Sequence, residues 1–110
     1  MLSRPNRLTR GSDYRTVVRR GSRCAGAHTV THVLAGTEGG AARFGFIVSK
    51  QVGTAVVRNT VRRRLKAVCA EELSTMAPGT DVVIRALPAA ASADYAQLRT
   101  EVRRCLGRAA

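Results

Sequence analysis

Residues 53–66, GTAVVRNTVRRRLK, restrict the fold more than any other stretch of the chain. Set on a helix at about 100° per residue, Val57, Val61, Leu65 and Val68 share an arc of about 80°. Arg58, Asn59, Arg62, Arg63 and Lys66 share a separate arc of about 140°. Arg64 falls outside it, near the other edge of the apolar stripe. A helix sorted in this way must bury one side and present the other.

The presented side costs the fold something. Like charges at i,i+4, as in Arg58/Arg62 and Arg62/Lys66, destabilise a helix by ~0.2–0.5 kcal/mol each. Basic residues in the first turn also oppose the helix dipole, whose N-terminal end is already positive. Solvation returns nothing for this. A nucleic-acid backbone does, because each phosphate neutralised releases counterions. Gly53, ahead of the helix, lets backbone N–H groups approach an anion, while Asn59 suits a base edge or sugar and Arg58 a phosphate.

Total charge points the same way. The chain carries 19 Lys+Arg against 7 Asp+Glu, a net +12. Residues 1–66 hold 14 basic and 2 acidic residues, and residues 67–110 hold five of each. So lopsided an excess is the footprint of a polyanion partner. No apolar run approaches ~18 residues, and MLSRPNRLTR lacks the apolar segment of a signal peptide, so no membrane partner is expected. Cys24, Cys69 and Cys105 are odd in number, far apart and without a C-x-x-C pair. Neither a disulfide framework nor a zinc ribbon is expected, and the three read as filler thiols in a reducing, cytoplasmic setting.

At 110 residues the chain is expected to form a single domain, residues 1–110. SDYRTVVRRG predicts a short helix capped by Ser12, with Tyr14, Val17 and Val18 on one face and Gly21 at its end. HTVTHVLA alternates as a strand, and ARFGFIVS is expected to pair with it as a hairpin closed by TEGG. SRCAG leaves a further short strand open. The main helix is expected over about residues 55–73. DVVIRALP reads as a strand with Val82, Ile84 and Ala86 on one face. Ser92 or Asp94 then caps a last helix carrying Tyr95, Leu98, Val102 and Leu106. The fold class is α+β, a single sandwich of one sheet with helices packed on it.

No catalytic or metal-binding set stands out. His28 and His32 lie about 13 Å apart on a strand at ~3.3 Å per residue, too far to share an ion. No two carboxylates have a spacing that argues for acid/base work, and Glu71-Glu72 read as surface charges. Cys69 and Cys105 sit on or beside helical apolar stripes, as core residues do. Tyr14 suits either the core or a stacking platform.

FGFIVSKQVGTAVVRNTVRRRLK resembles the signature of the bacterial ribonuclease P protein subunit: a strand ending Val-Ser-Lys, then Val-Gly-x-Ala-Val-x-Arg-Asn, then a basic helix. RLTRGSDYRTVVRRG is similar to that family's first helix, and GTDVVIRALPAA to its last strand. The resemblance implies the order αβββαβα, with an unusual left-handed βαβ crossover after Val48. It implies a protein subunit that binds a catalytic RNA and the 5′ leader of precursor tRNA, and assists Mg²⁺-dependent removal of that leader. Hydrolysis would belong to the RNA and its Mg²⁺, with no catalytic or metal-binding residue in the protein. Lys50, Arg58, Asn59, Arg62, Arg63 and Lys66 match RNA-facing positions. Tyr14, Val18 and His32 match the leader groove between the first helix and the sheet, where Val18 departs from a common aromatic. Thr60 and Gln51 stand where the family often has Arg and Lys. A small ribosomal-type RNA-binding protein is the alternative. DNA is not expected, for want of a helix-turn-helix.

Overall fold

The computed structural model describes residues 2–36 and 40–109. Its elements follow the expected order: α1 (Gly11–Arg20), β1 (Ser22–Ala25), β2 (Thr29–Leu34), β3 (Arg43–Ile47), α2 (Ala55–Glu72), β4 (Asp81–Ala86) and α3 (Tyr95–Ala109). Short 3₁₀ turns lie at Arg4–Asn6, Leu73–Thr75 and Pro88–Ser92. The strands form one mixed sheet in the order β1-β2-β4-β3, in which only β3 and β4 run parallel. The α+β sandwich is therefore as the sequence predicts, and the open SRCAG stretch is an edge strand.

The expected hairpin between β2 and β3 does not form. β4 lies between them, paired antiparallel to β2 and parallel to β3. The reason lies in β4 itself: Val82, Val83 and Ile84 are all fully buried, so this strand is apolar on both faces and an edge position would waste one of them. β3 is half-buried at Arg43, Phe46 and Ile47 and takes the edge instead. Of the TEGG turn, residues 37–39 lie outside the described residues. The β3 edge is covered by the N-terminal segment, where the Leu8 N–H donates to the Phe44 carbonyl at 2.8 Å and Asn6 Nδ2 donates to the Ala42 carbonyl at 2.9 Å.

Strand parity divides the sheet into two faces. Phe44, Val82 and Ile84 join Val61, Leu65 and Val68 of α2 and Leu98, Val102 and Leu106 of α3 in the main core. Val83 points the other way and packs with Leu8 and Val17, the latter on α1, with Leu34 and Ile47 alongside. So α1 covers one face of the sheet, and α2 with α3 cover the other. At the start of the parallel pair, Arg43 grips the buried Asp81 with two hydrogen bonds of 2.9 and 2.7 Å.

Three local expectations change. Ser12 does not cap α1, which begins at Gly11 behind Arg10 with no side-chain cap. Gly21 ends α1 at φ −78, not in the left-handed region; it is needed for space, since a Cβ would lie 2.6 Å from the Val17 carbonyl oxygen and 2.8 Å from that of Val33. Cys24 and Cys105 are not free thiols: they form a disulfide joining β1 to α3 across 81 residues, while Cys69 stays free and buried. Strand and helix parity place each cysteine facing the other element, but nothing in their spacing pairs them. Of the two caps considered for α3, Asp94 serves. Its Oδ1 accepts from the Gln97 N–H at 2.8 Å, and Gln97 Oε1 accepts from the Asp94 N–H at 2.9 Å.

Candidate RNA interface

The cationic helix face is built from its entry turn. The Val52 N–H donates to the Ser49 carbonyl and the Gly53 N–H to the Lys50 carbonyl. This turn buries Val52 and leaves Lys50 exposed. Thr54 then caps α2, its hydroxyl accepting from the Val57 N–H at 3.4 Å. Burial of Val61, Leu65, Val68 and Cys69 fixes the roll of the helix, so the opposite arc must face outwards.

On that arc Asn59 and Arg63 are exposed, and Arg58, Arg62 and Lys66 are half-buried. Half-burial of so long a cationic side chain covers part of its apolar stem. Arg62 donates to Asn59 Oδ1 at 3.2 Å, tying these two together. Arg58 Nε is buried and has no hydrogen-bond partner. Among the described residues, none of Lys50, Arg58, Arg62, Arg63 or Lys66 forms an ion pair. Thr60 turns its hydroxyl back to the Val56 carbonyl at 3.1 Å, so it adds nothing to this surface. Arg64, off the arc, donates to the Ala93 carbonyl at 2.8 Å and serves the fold. Sequence reasoning passed over Val56, which is 76% exposed in the first turn of α2, beside the cations.

Tyr14, Val18 and His32 lie on the other side of the sheet, with α1. They are not equivalent. The Tyr14 hydroxyl accepts from the Phe46 N–H at 3.2 Å and donates to the Leu8 carbonyl at 3.4 Å. Its ring lies over Gly45, where a Cβ would come within 2.5 Å of it. That ring is half seated in the fold. Val18 is 40% exposed; it and Val56 are the large exposed apolar side chains of the described residues, one on each side of the sheet. His32 is only 6% exposed, so its ring offers little free face for a base.

His32 instead lies among basic side chains. Arg23 of β1 stands opposite it in the strand register, and Arg85 of β4 shares its side of the sheet. Burial first, then Arg23 and Arg85, push the His32 pKa below its ordinary value, and its Nδ1 is buried without a hydrogen-bond partner. Both arginines are exposed. Sequence reasoning missed them, although parity could have found Arg85, which alternates with Val82, Ile84 and Ala86.

Among the described residues no three His, Cys, Asp or Glu side chains gather to hold a metal ion. Asp81, Glu71, Glu72 and Glu101 are engaged by Arg43, Arg99, Arg103 and the Thr29 hydroxyl respectively. These four carboxylates are thus already held within the fold.

Comparison with known proteins identifies the family and the fold. A ribonuclease P protein component from Clavibacter michiganensis is 50% identical over 109 residues, covering 99% of this chain and 96% of the relative. One from Acidothermus cellulolyticus is 44% identical, covering 98% of this chain and 91% of the relative. The ribonuclease P protein of Staphylococcus aureus superposes with a TM-score of 0.83 at 22% identity, covering 94% of each chain. That of Thermotoga maritima superposes with a TM-score of 0.80 at 19% identity, over 93% of this chain and 96% of the other. At such identities these two structures speak for the fold alone. The family model for ribonuclease P matches residues 2–110, and the chain belongs to that family.

Proposed function

We infer that this chain is the protein subunit of ribonuclease P, working with a catalytic RNA in removing the 5′ leader of precursor tRNA. One observation carries the reading: α2 presents four cations on one arc and none of them is neutralised by a carboxylate of the described chain. Phosphates of a folded RNA supply what the chain withholds. Arg58, Arg62, Arg63, Lys66 and Lys50 would hold that backbone, and Asn59 would hydrogen-bond a base edge or sugar.

The groove on the α1 side would take the leader. Val18 offers apolar contact, the Tyr14 ring edge a partial platform, and Arg23 and Arg85 phosphate forks on either side of His32. Stacking is worth ~1–3 kcal/mol per base only where a ring face is free, so this groove would rely more on its guanidinium groups than on aromatic rings. Bond breaking falls to the RNA with its Mg²⁺, and the chain contributes grip. On this reading the protein works in the cytoplasm; among the described residues no helix is long and apolar enough to cross a membrane.

The test is reconstitution. Purified protein added to ribonuclease P RNA and 5′-labelled precursor tRNA at low Mg²⁺ should raise the rate of leader release. Absence of any gain across a protein titration would remove the reading.

A further inference from the structure

We propose that the Cys24–Cys105 disulfide is a reversible redox tie that holds β1 at the wall of the leader groove and so sets how firmly the protein grips a leader. The proposal rests on the leader-groove reading above and adds a control to it.

The two faces of β1 carry the argument. β1 has four residues and a single neighbour, β2, and Ser22, Arg23 and Ala25 are exposed. So short an edge strand has little burial of its own to hold it. Cys24 faces α3, to which it is bonded with a Cα–Cα distance of 5.5 Å. Arg23, the preceding residue, points the opposite way, into the groove across from His32. Whatever fixes Cys24 against α3 therefore fixes the guanidinium that forms one side of the groove.

A second fastening shows what would move and what would stay. Glu101, one helical turn before Cys105, accepts from the His28 N–H at 3.2 Å and from the Thr29 hydroxyl at 2.5 Å. These bonds anchor the β1–β2 turn to α3 whatever the state of the sulfurs. β1 is held at its other end by Gly21, which follows α1 and donates its N–H to the Val17 carbonyl at 2.8 Å. Cleaving the disulfide therefore removes the covalent hold on the middle of the strand and lets β1 loosen there while the core keeps its packing.

The chemistry singles out this pair. Cys24 is half-buried, whereas Cys105 and Cys69 are fully buried. Burial, and then Glu72, raise the Cys69 thiol far above its ordinary pKa, which leaves it inert. Oxidation begins when the Cys24 thiolate attacks one sulfur of a low-molecular-weight disulfide and expels one thiolate. The Cys105 thiolate then attacks the Cys24 sulfur of the mixed disulfide and expels the second. Two electrons pass from the cysteine pair to the small disulfide, which leaves as two thiols carrying the two protons. In a thiol-rich compartment the same steps run backwards, so the bond follows the local poise.

The experiment uses the wild-type protein reconstituted with its RNA at two ratios of oxidised to reduced glutathione. Alkylation of the denatured protein and mass spectrometry read the 24–105 bond. Binding of precursor against mature tRNA reads the leader grip. The bond should form and reverse with the poise, and the oxidised protein should favour precursor over mature tRNA by about fivefold more than the reduced protein, the low end of couplings between sites. A double variant, Cys24→Ser with Cys105→Ser, should stay at the reduced level in both buffers. Failure of the bond to form overturns the proposal. So does a bond that forms while the precursor preference stays equal in both buffers. A protein that prefers precursor in neither buffer shows a different failure, that of the leader reading, and the tie falls with it.

Discussion

α2 and α3 lie side by side on one face of the sheet and both turn arginines outwards, yet those arginines differ in use. Arg99 of α3 meets Glu71 at 2.8 Å and Arg103 meets Glu72 at 3.3 Å. Both carboxylates belong to the last turn of α2. Glu71 also accepts from the Tyr95 hydroxyl; that bond first, and Arg99 second, hold its pKa below the ordinary value. At the other end of α2, Arg58, Arg62, Arg63 and Lys66 have no such partner among the described residues. α2 is thus charged against its own dipole at both ends, basic at the start and acidic at the finish. The acidic end has its compensation inside the chain, in α3. The basic end has none among the described residues, which leaves it open to an anionic partner. On the proposed function, where the carboxylates sit, rather than how many arginines there are, would separate interface from scaffold.

The largest expected effect shows what the two helices share. Leu65 and Leu98 are both fully buried in the same core. Leu65→Ala and Leu98→Ala should each lower unfolding free energy by about 2–5 kcal/mol, read from denaturant midpoints. Similar losses would mean that packing treats the helices alike and only the outer charges distinguish them. A loss below about 1 kcal/mol at Leu65 alone would mean that α2 is held by something other than its apolar stripe, and its outward arc would no longer be fixed.

Much of this was legible in the sequence because periodicity reports burial. The stripe at Val57, Val61, Leu65 and Val68 placed the cations on the free arc, and the structure keeps them there. Parity of Val82, Ile84 and Ala86 gave the core face of β4. What stayed hidden was non-local. The β2–β3 hairpin was the natural reading of two neighbouring strands, and only the two-sided burial of a strand over 30 residues later displaces it. The Cys24–Cys105 bond and the Glu101 contact with Thr29 likewise join residues more than 70 positions apart. His32 read as a flat ring for stacking, because sequence shows a residue's type and not the Arg23 and Arg85 that enclose it.

A middle-sized effect separates the buried carboxylate of α3, Glu101, from the less buried Glu71 and Glu72 of α2. Burial opposes ionisation of Glu101, but the Thr29 hydroxyl, the His28 N–H and the His28 ring outweigh it, and its pKa falls below the ordinary 4.5. A depressed folded-state value contributes stability above the unfolded pKa, and that contribution is lost as pH falls through the folded one. Glu101→Gln should therefore cost about 1–3 kcal/mol at neutral pH, and the difference from wild type should shrink once the pH drops below about 4.5. Chemical denaturation from pH 7 down to acid measures it. A difference that stays constant through that window would show that the charge of Glu101 adds nothing.

The smallest effect on stability is the sharpest test of the contrast. Arg62→Ala and Arg99→Ala each remove an outward guanidinium from a helix on the same face of the sheet. Arg62 has like-charged neighbours at both i−4 and i+4, so its removal should leave stability unchanged or raise it by ~0.2–0.5 kcal/mol. Arg99 loses a solvent-exposed pair, so its removal should lower stability slightly, within the range of surface ion pairs. RNA binding should reverse that order. The slope of log affinity against log salt should fall by about one for Arg62→Ala, as one phosphate is left without its cation, and should not change for Arg99→Ala. Equal slopes for the two variants would make the guanidinium groups interchangeable towards RNA, and internal pairing would no longer mark where the RNA lies. Glu71→Gln with Glu72→Gln then sharpens the result, because it unpairs α3 without adding a cation. If a missing carboxylate is what makes an arginine available, that variant should steepen the slope, and Arg99→Ala added to it should take back about one unit.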